Sequence, residues 1–287
     1  MKKILFFTLS IALSLNISAQ TEKIVLKKNQ LLKLATTLKG TTSIDAITQS
    51  MDITTSSSAS KNILVTDVSK DKYAIDFTTT KLKLAFNMMG TEKSFDSENN
   101  ADSANELKDL TKNINVPFKL SLYKDGSVEL TDTTTKNALA PIAKDDLLSG
   151  ILGQAMSANI GEPAAVENCF MLLPNNKKVG DTWSDSTINQ DNRISNSYTW
   201  DNTESDIATI KIISKISSKI KTQMPEFGID LDATINNTVN EVRKVDLKTG
   251  IIQQKNVTTV IDGSADMLGM SLPITGTTES TSTIEVQ

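Results

Sequence analysis

The chain contains no histidine. That absence removes Ser-His-Asp and Cys-His catalysis and histidine-ligated zinc together, because each needs an imidazole to carry a proton or bind the metal. An enzyme built on this sequence would need paired carboxylates, a lysine or an oxygen-only metal site. A single cysteine, Cys169, rules out an internal disulfide, so stability must come from core burial rather than covalent staples. Its apolar neighbours in AAVENCFMLLP read as the surroundings of an inert buried thiol. Aromatic residues are scarce, at 5%. Together with strand faces rich in Thr, Lys and Asp, that scarcity excludes a transmembrane β-barrel, which wants an outward apolar band and aromatic girdles. A basic excess is missing as well. The formal charge of −4 becomes −6 once Lys2 and Lys3 are removed with a leader, which leaves no electrostatic footprint for nucleic acid.

The leader is the clearest positive signal. In MKKILFFTLSIALSLNISAQ, two lysines precede an apolar run and a small residue, Ala19, stands at the cut. This order predicts a secretory signal peptide over residues 1–19, too short to remain as a membrane anchor. No cysteine follows it to carry a lipid, and no other run is long enough to cross a bilayer as a helix. The expectation is an exported chain, periplasmic or extracellular, with no integral membrane segment after cleavage. Residues 20–287 are expected to form a single β-rich domain with a helical insert over about 100–172.

Alternation carries the strand assignments. In KYAIDFTTTKLKLAFNM, Tyr73, Ile75 and Phe77 share a face, and Leu82, Leu84 and Phe86 are assigned to another strand. FKLSLYKDGSVEL reads as strand, Asp125-Gly126 turn, strand, and Gly250 supplies the turn in the later hairpin. TIKIISKISSKIKTQ alternates from Ile210 to Ile220, with a slip expected near Ile213. The serine-rich TTSSSASKN at 54–62 reads as a loop, and the Thr-rich C-terminus as further strand. Helical spacing is confined to the middle of the chain. Ser103 and Glu106 form a capping box ahead of Leu107, Leu110 and Ile114. Leu148, Leu152 and Met156 make a stripe widened by Leu147 and Ile151, on a helix over 145–157 that Gly150 and Gly153 weaken. Pro163 opens a third, shorter helix. The fold class expected is mainly β (α+β), a single curved antiparallel sheet or half-barrel with helices inserted in the middle of the chain.

The stretch CFMLLPNNKKVGDTWSDSTI brings a Leu173-Pro174 step, a polar insert and Val179-Gly180-Asp181-Thr182-Trp183 together. Gly180 permits a positive φ, Asp181 can bond the backbone two residues on, and Trp183 is expected to open a strand and turn inward. The motif resembles a segment of secreted Bacteroidota proteins grouped in an uncharacterised domain-of-unknown-function family, and the leader is similar to those common in that phylum. The layout of hairpins, central helices and more hairpins is also similar to periplasmic lipoprotein carriers of the LolA/LppX type. That likeness implies an incomplete barrel whose apolar inner face is covered by helices and accepts acyl chains.

Other candidate chemistry is weak. The acidic run 96–106 has Ala101 and Leu107 where a calcium loop needs Gly and Glu, so no metal site and no cofactor are expected. Methionines such as Met88, Met171 and Met270 beside apolar stretches suit core filling or an adaptable apolar pocket. The expected function is therefore an exported non-enzymatic binding protein, a monomer, holding a lipid or other apolar small molecule. Leu148, Leu152, Met156 and Trp183 are the candidate ligand contacts. The alternative is a structural or surface-interaction protein with a filled core and no ligand.

Overall fold

A computed structural model describes residues 22–45, 50–88, 90–99, 112, 114–131, 163–189, 192–224, 229–267 and 270–287. The leader 1–19 and the helices expected over 103–114 and 145–157 lie wholly or largely outside these residues. The strands are β1 (Leu31–Asp45), β2 (Ser50–Val68), β3 (Lys72–Met88), β4 (Thr91–Asp96), β5 (Pro117–Tyr123), β6 (Val128–Leu130), β7 (Thr182–Ile188), β8 (Asn192–Glu204), β9 (Ile207–Met224), β10 (Ile229–Asp246), β11 (Ile252–Met267) and β12 (Met270–Val286). One short helix, α1 (Pro163–Glu167), precedes β7. No helix among the described residues is long and apolar enough to cross a membrane.

The strands make one open, curved, 12-stranded sheet, ordered β6-β5-β3-β2-β1-β12-β11-β10-β9-β8-β7, with β4 also paired to β3. Two meanders are joined in the middle by antiparallel pairing of β1 with β12. Within the span 100–172, where helices were expected, β5 and β6 form the hairpin that Asp125-Gly126 signals, Gly126 taking φ 98°. Ile114 bridges to Thr79 of β3 instead of continuing a helix.

A bulge corrects one assignment. Tyr73, Ile75, Phe77, Leu82, Leu84 and Phe86 all belong to β3, and all are buried on its inner face. The register with β2 shifts between Ser60 and Lys61, leaving Thr80 as the extra residue. An extra residue moves the alternation from odd to even positions without sending either set outward. Beside it, the serine-rich 54–62 is not a loop but the interior of β2, paired on both sides. Small hydroxyl side chains tolerate a strand once neighbours supply the ladder. Nor does β9 slip at Ile213. Its pairing with β10 runs unbroken, and Ile213 simply faces out, 50% exposed.

Apolar burial concentrates at one end of the inner face. Leu32, Ile63, Ile75, Phe77, Phe118 and Leu122 pack there with Ile24, Val166 and Phe170, which the N-terminal segment and α1 bring over the sheet. A neighbouring cluster gathers Trp200, Ile210, Ile212, Val245 and Leu173. At the opposite end, Ile44, Ile53, Leu272 and Ile274 form a smaller core. Between the ends the inner face turns small and polar. Beside the smaller core, where Gly263 pairs with Ile274 and Gly276 with Ile261, a Cβ on Gly276 would lie 2.6 Å from the Thr41 carbonyl oxygen, and one on Gly263 would lie 2.4 Å from that of Thr234. Only glycine lets adjacent strands approach so closely, and inward-facing glycines of this kind are how a sheet acquires curvature.

Candidate functional site

The hydrophobic end of the inner face does not fill completely. A cavity of about 310 Å³ lies between α1 and strands β1, β2, β11 and β12. Ala164, Ala165, Asn168 and Cys169 form its helix side, and Leu34, Leu38, Ile252 and Ile284 give it apolar walls. Thr36, Ser280 and Ser282 add hydroxyls, and Lys61 and Lys255 reach in from either flank. The strand register explains the convergence. Arg243 pairs with Lys255, Lys255 with Ser282, Ser282 with Thr36 and Thr36 with Ala59, so these positions form one level across the inner face. Lys61 stands one inward position further along β2, opposite Leu34.

Lys61 is the unusual member. It is 1% exposed, between Ala59 and Ile63 in an otherwise apolar inward series. Its Nζ lies 5.8 Å from the centre of the Phe77 ring, within cation–π range. Burial lowers its pKa from 10.5 to about 8, against a smaller opposing influence from Cys169. Burial also lowers Lys255, partly offset by Glu241, whose Oε1 is 3.6 Å from the Lys255 Nζ. Burial alone would raise Glu241. The guanidinium of Arg243, donating from Nε to Oε1 and, at 3.1 Å, from Nη2 to Oε2, acts with Lys255 to outweigh it, so the carboxyl sits below its usual value. Cys169 is pushed up to about 12 by burial, although the positive charges of Lys61 and Lys255 both act on it in the opposite direction. A thiol held this far up is protonated at neutral pH and a poor nucleophile.

Trp183 lies elsewhere. It sits on β7, half-buried, its ring stacked on Tyr198 at 5.2 Å and 5° between planes. It does not line the cavity. Tyr198 donates to Asp185 at 2.9 Å, and Asn196 donates to the other oxygen of the same carboxylate at 2.7 Å. The fully enclosed tryptophan is Trp200, 3% exposed, whose Nε1 donates to Thr203 Oγ1 at 2.9 Å. An edge strand has a neighbour on one side only, which is why Trp183 stays half covered while Trp200, one strand further in, does not. The Gly180-Asp181 corner forms as expected, with φ 90° at Gly180, except that the Asp181 carboxylate accepts from the Lys178 N–H three residues back. The other three candidate contacts, Leu148, Leu152 and Met156, lie outside the described residues.

Sequence reasoning missed Lys61 and Lys255. The signal for Lys61 was present as an Ala-x-Lys-x-Ile-x-Val alternation, hidden by reading residues 54–62 as a loop. Lys255 likewise shares its face with Val257 and Ile261.

Among curated proteins, none matches the chain by sequence. Among solved structures, a lipovitellin structure described for its lipid–protein interactions matches with a TM-score of 0.50 at 9% identity, over 92% of this chain. The chain spans only 26% of lipovitellin's own length, and at that identity the likeness concerns the fold alone. An outer membrane channel from Pseudomonas putida F1 aligns over 92% of this chain and 98% of its own, at 7% identity and a TM-score of 0.22, below that of a shared fold. A family description matches residues 70–252, more than half of the chain, from the start of β3 to the start of β11. The chain therefore belongs to the Family of unknown function (DUF6263).

Proposed function

We propose that this chain is an exported, non-enzymatic binding protein that takes an apolar chain into the inner face of its curved sheet. The observation that carries the reading is the cavity of about 310 Å³ beneath α1, walled by Leu34, Leu38, Ile252 and Ile284. Its size falls at the lower end of the roughly 300–1,000 Å³ typical of small-molecule sites, and such sites combine apolar walls with a few polar groups. The likeness of fold to lipovitellin, a protein described for its interactions with lipid, supports the same reading. Export is inferred from the order of lysines, apolar run and small residue in the leader.

The test is titration of the purified, delipidated protein with N-phenyl-1-naphthylamine, a neutral probe that fluoresces in apolar surroundings. Saturable enhancement, reversed by dodecanol, is expected. Enlarging Ala165 to Trp, at the helix side of the cavity, should abolish it while leaving the fold intact by circular dichroism. A wild-type protein that gives no saturable enhancement at micromolar probe removes the reading.

A further inference from the structure

We infer that the ligand is a single-chain amphiphile with an anionic head, held between the ammonium groups of Lys61 and Lys255 while its tail lies along the apolar wall. This deepens the binding reading above and rests on it. Two lysines line one small cavity, from strands three places apart in the sheet. Three strand spacings separate their backbones by about 14 Å, a gap that two inward side chains of this length close from both flanks. Their convergence is visible at Cys169, whose thiol feels the positive charge of both.

The chemistry of the lining selects the head. An ammonium only donates hydrogen bonds, and with three N–H groups it can serve partners inside the protein and a ligand together. Between the lysines stand the hydroxyls of Thr36 and Ser282, 3.3 Å apart, which can rotate to donate to the same anion. A cationic head would meet two like charges in a poorly solvated space, where repulsion is strong. A neutral head would add no counter-charge beyond that of Glu241, whereas an anion forms charge-assisted bonds, the stronger class. Arg243 does not compete for this role, because its guanidinium is committed to Glu241 through two donors. Leu34, Leu38 and Ile284 then offer the tail an apolar course along β1 and β12. The modest volume admits one chain rather than two.

The experiment is displacement of bound N-phenyl-1-naphthylamine by dodecanoate, dodecyl phosphate, dodecanol and dodecyltrimethylammonium, each below its micelle concentration, on wild type, Lys61→Met and Lys255→Met. The wild type should bind dodecanoate at least tenfold more tightly than dodecanol, and the trimethylammonium compound most weakly. Each lysine substitution should cut dodecanoate affinity by about tenfold and leave dodecanol unchanged. Equal affinity for dodecyl phosphate would also support the inference, since charge is then what is read. Equal binding of acid and alcohol by the wild type, or an acid preference that survives both substitutions, would overturn it while leaving the binding reading intact. Failure of the probe itself to bind would overturn both.

Discussion

Replacing Lys61 with methionine is expected to stabilise the protein at neutral pH, by an amount that shrinks as the pH rises. In an unfolded chain this lysine loses its proton near 10.5, and in the folded protein near 8, because burial penalises the charged form. Between those values the unfolded chain holds more protons than the folded one, so the wild type gains stability with rising pH. The penalty is in full force below pH 8 and gone above 10.5. At about 1.4 kcal/mol per pH unit, it amounts to about 3 kcal/mol. Methionine is unbranched, of similar length and uncharged, so it can occupy the same space without that penalty. Two other groups act with the opposite sign. Cys169 is pushed from 9.0 up to about 12, and Tyr198 from 10.0 up to about 12, each chiefly by burial, so each withdraws stability once the pH passes its unfolded value. The comparison therefore belongs between pH 7 and 9, with both groups present in both proteins. Urea denaturation should show the Lys61→Met advantage falling by about 1 kcal/mol from pH 8 to pH 9, since the folded lysine is only half deprotonated at pH 8. Any hydrogen bonds lost with the ammonium subtract a constant, so the slope is the decisive quantity. An advantage that stays flat across this interval would refute the assignment of Lys61 as a charge buried at a cost. The same variant should lose the stabilisation that dodecanoate gives the wild type, because a ligand stabilises only the state that binds it.

The tryptophans should separate cleanly. Trp200→Ala is expected to cost about 3–5 kcal/mol, as for a large core side chain, and Trp183→Ala only about 1–2 kcal/mol for a half-buried stacked ring, both measured by chemical denaturation. Equal losses would contradict their different burial. Gly276→Ala should cost about 1–3 kcal/mol, because the added carbon meets the Thr41 backbone at 2.6 Å and a strand must move. Gly40→Ala should cost less in the same assay, since its nearest obstacle is the end of the Thr278 side chain, at 2.8 Å.

Much of the sheet was legible because its signals are local. Asp125-Gly126 and Gly250 mark turns whose positive φ the backbone requires, and period-two alternation marks β9 and β12 directly. What could not be read depends on pairing. The bulge at Thr80 looks in sequence like two strands, because only the partner β2 reveals that the chain continues. Residues 54–62 carry turn-forming serines, and their strand is imposed by neighbours on both sides rather than by propensity. The lysines of the cavity were invisible for the same reason. Lys61 and Lys255 are far apart in the chain, and only the order β2-β1-β12-β11 brings them to one cavity. Trp183 was singled out because tryptophan is rare and stands beside a turn, but rarity does not say which of two tryptophans an edge strand will leave half uncovered.

The seam between β1 and β12 has a kinetic consequence. Thr36 and Ser282, which touch across it, are 246 residues apart. Apart from β5, which pairs with β3 across the intervening β4, each meander forms from hairpins whose strands are neighbours in sequence, but the seam must close a loop nearly as long as the chain. Folding of such topologies is slow, because the entropy of loop closure is lost before the contacts are made. Until β12 arrives, β1 presents a bare edge of fifteen residues, rich in threonine and open to pairing with any other extended chain. Conditions that delay the last strand should therefore lead to intermolecular β-pairing through β1, and the vulnerable interval of this protein's life is the one between synthesis and the closing of that single seam.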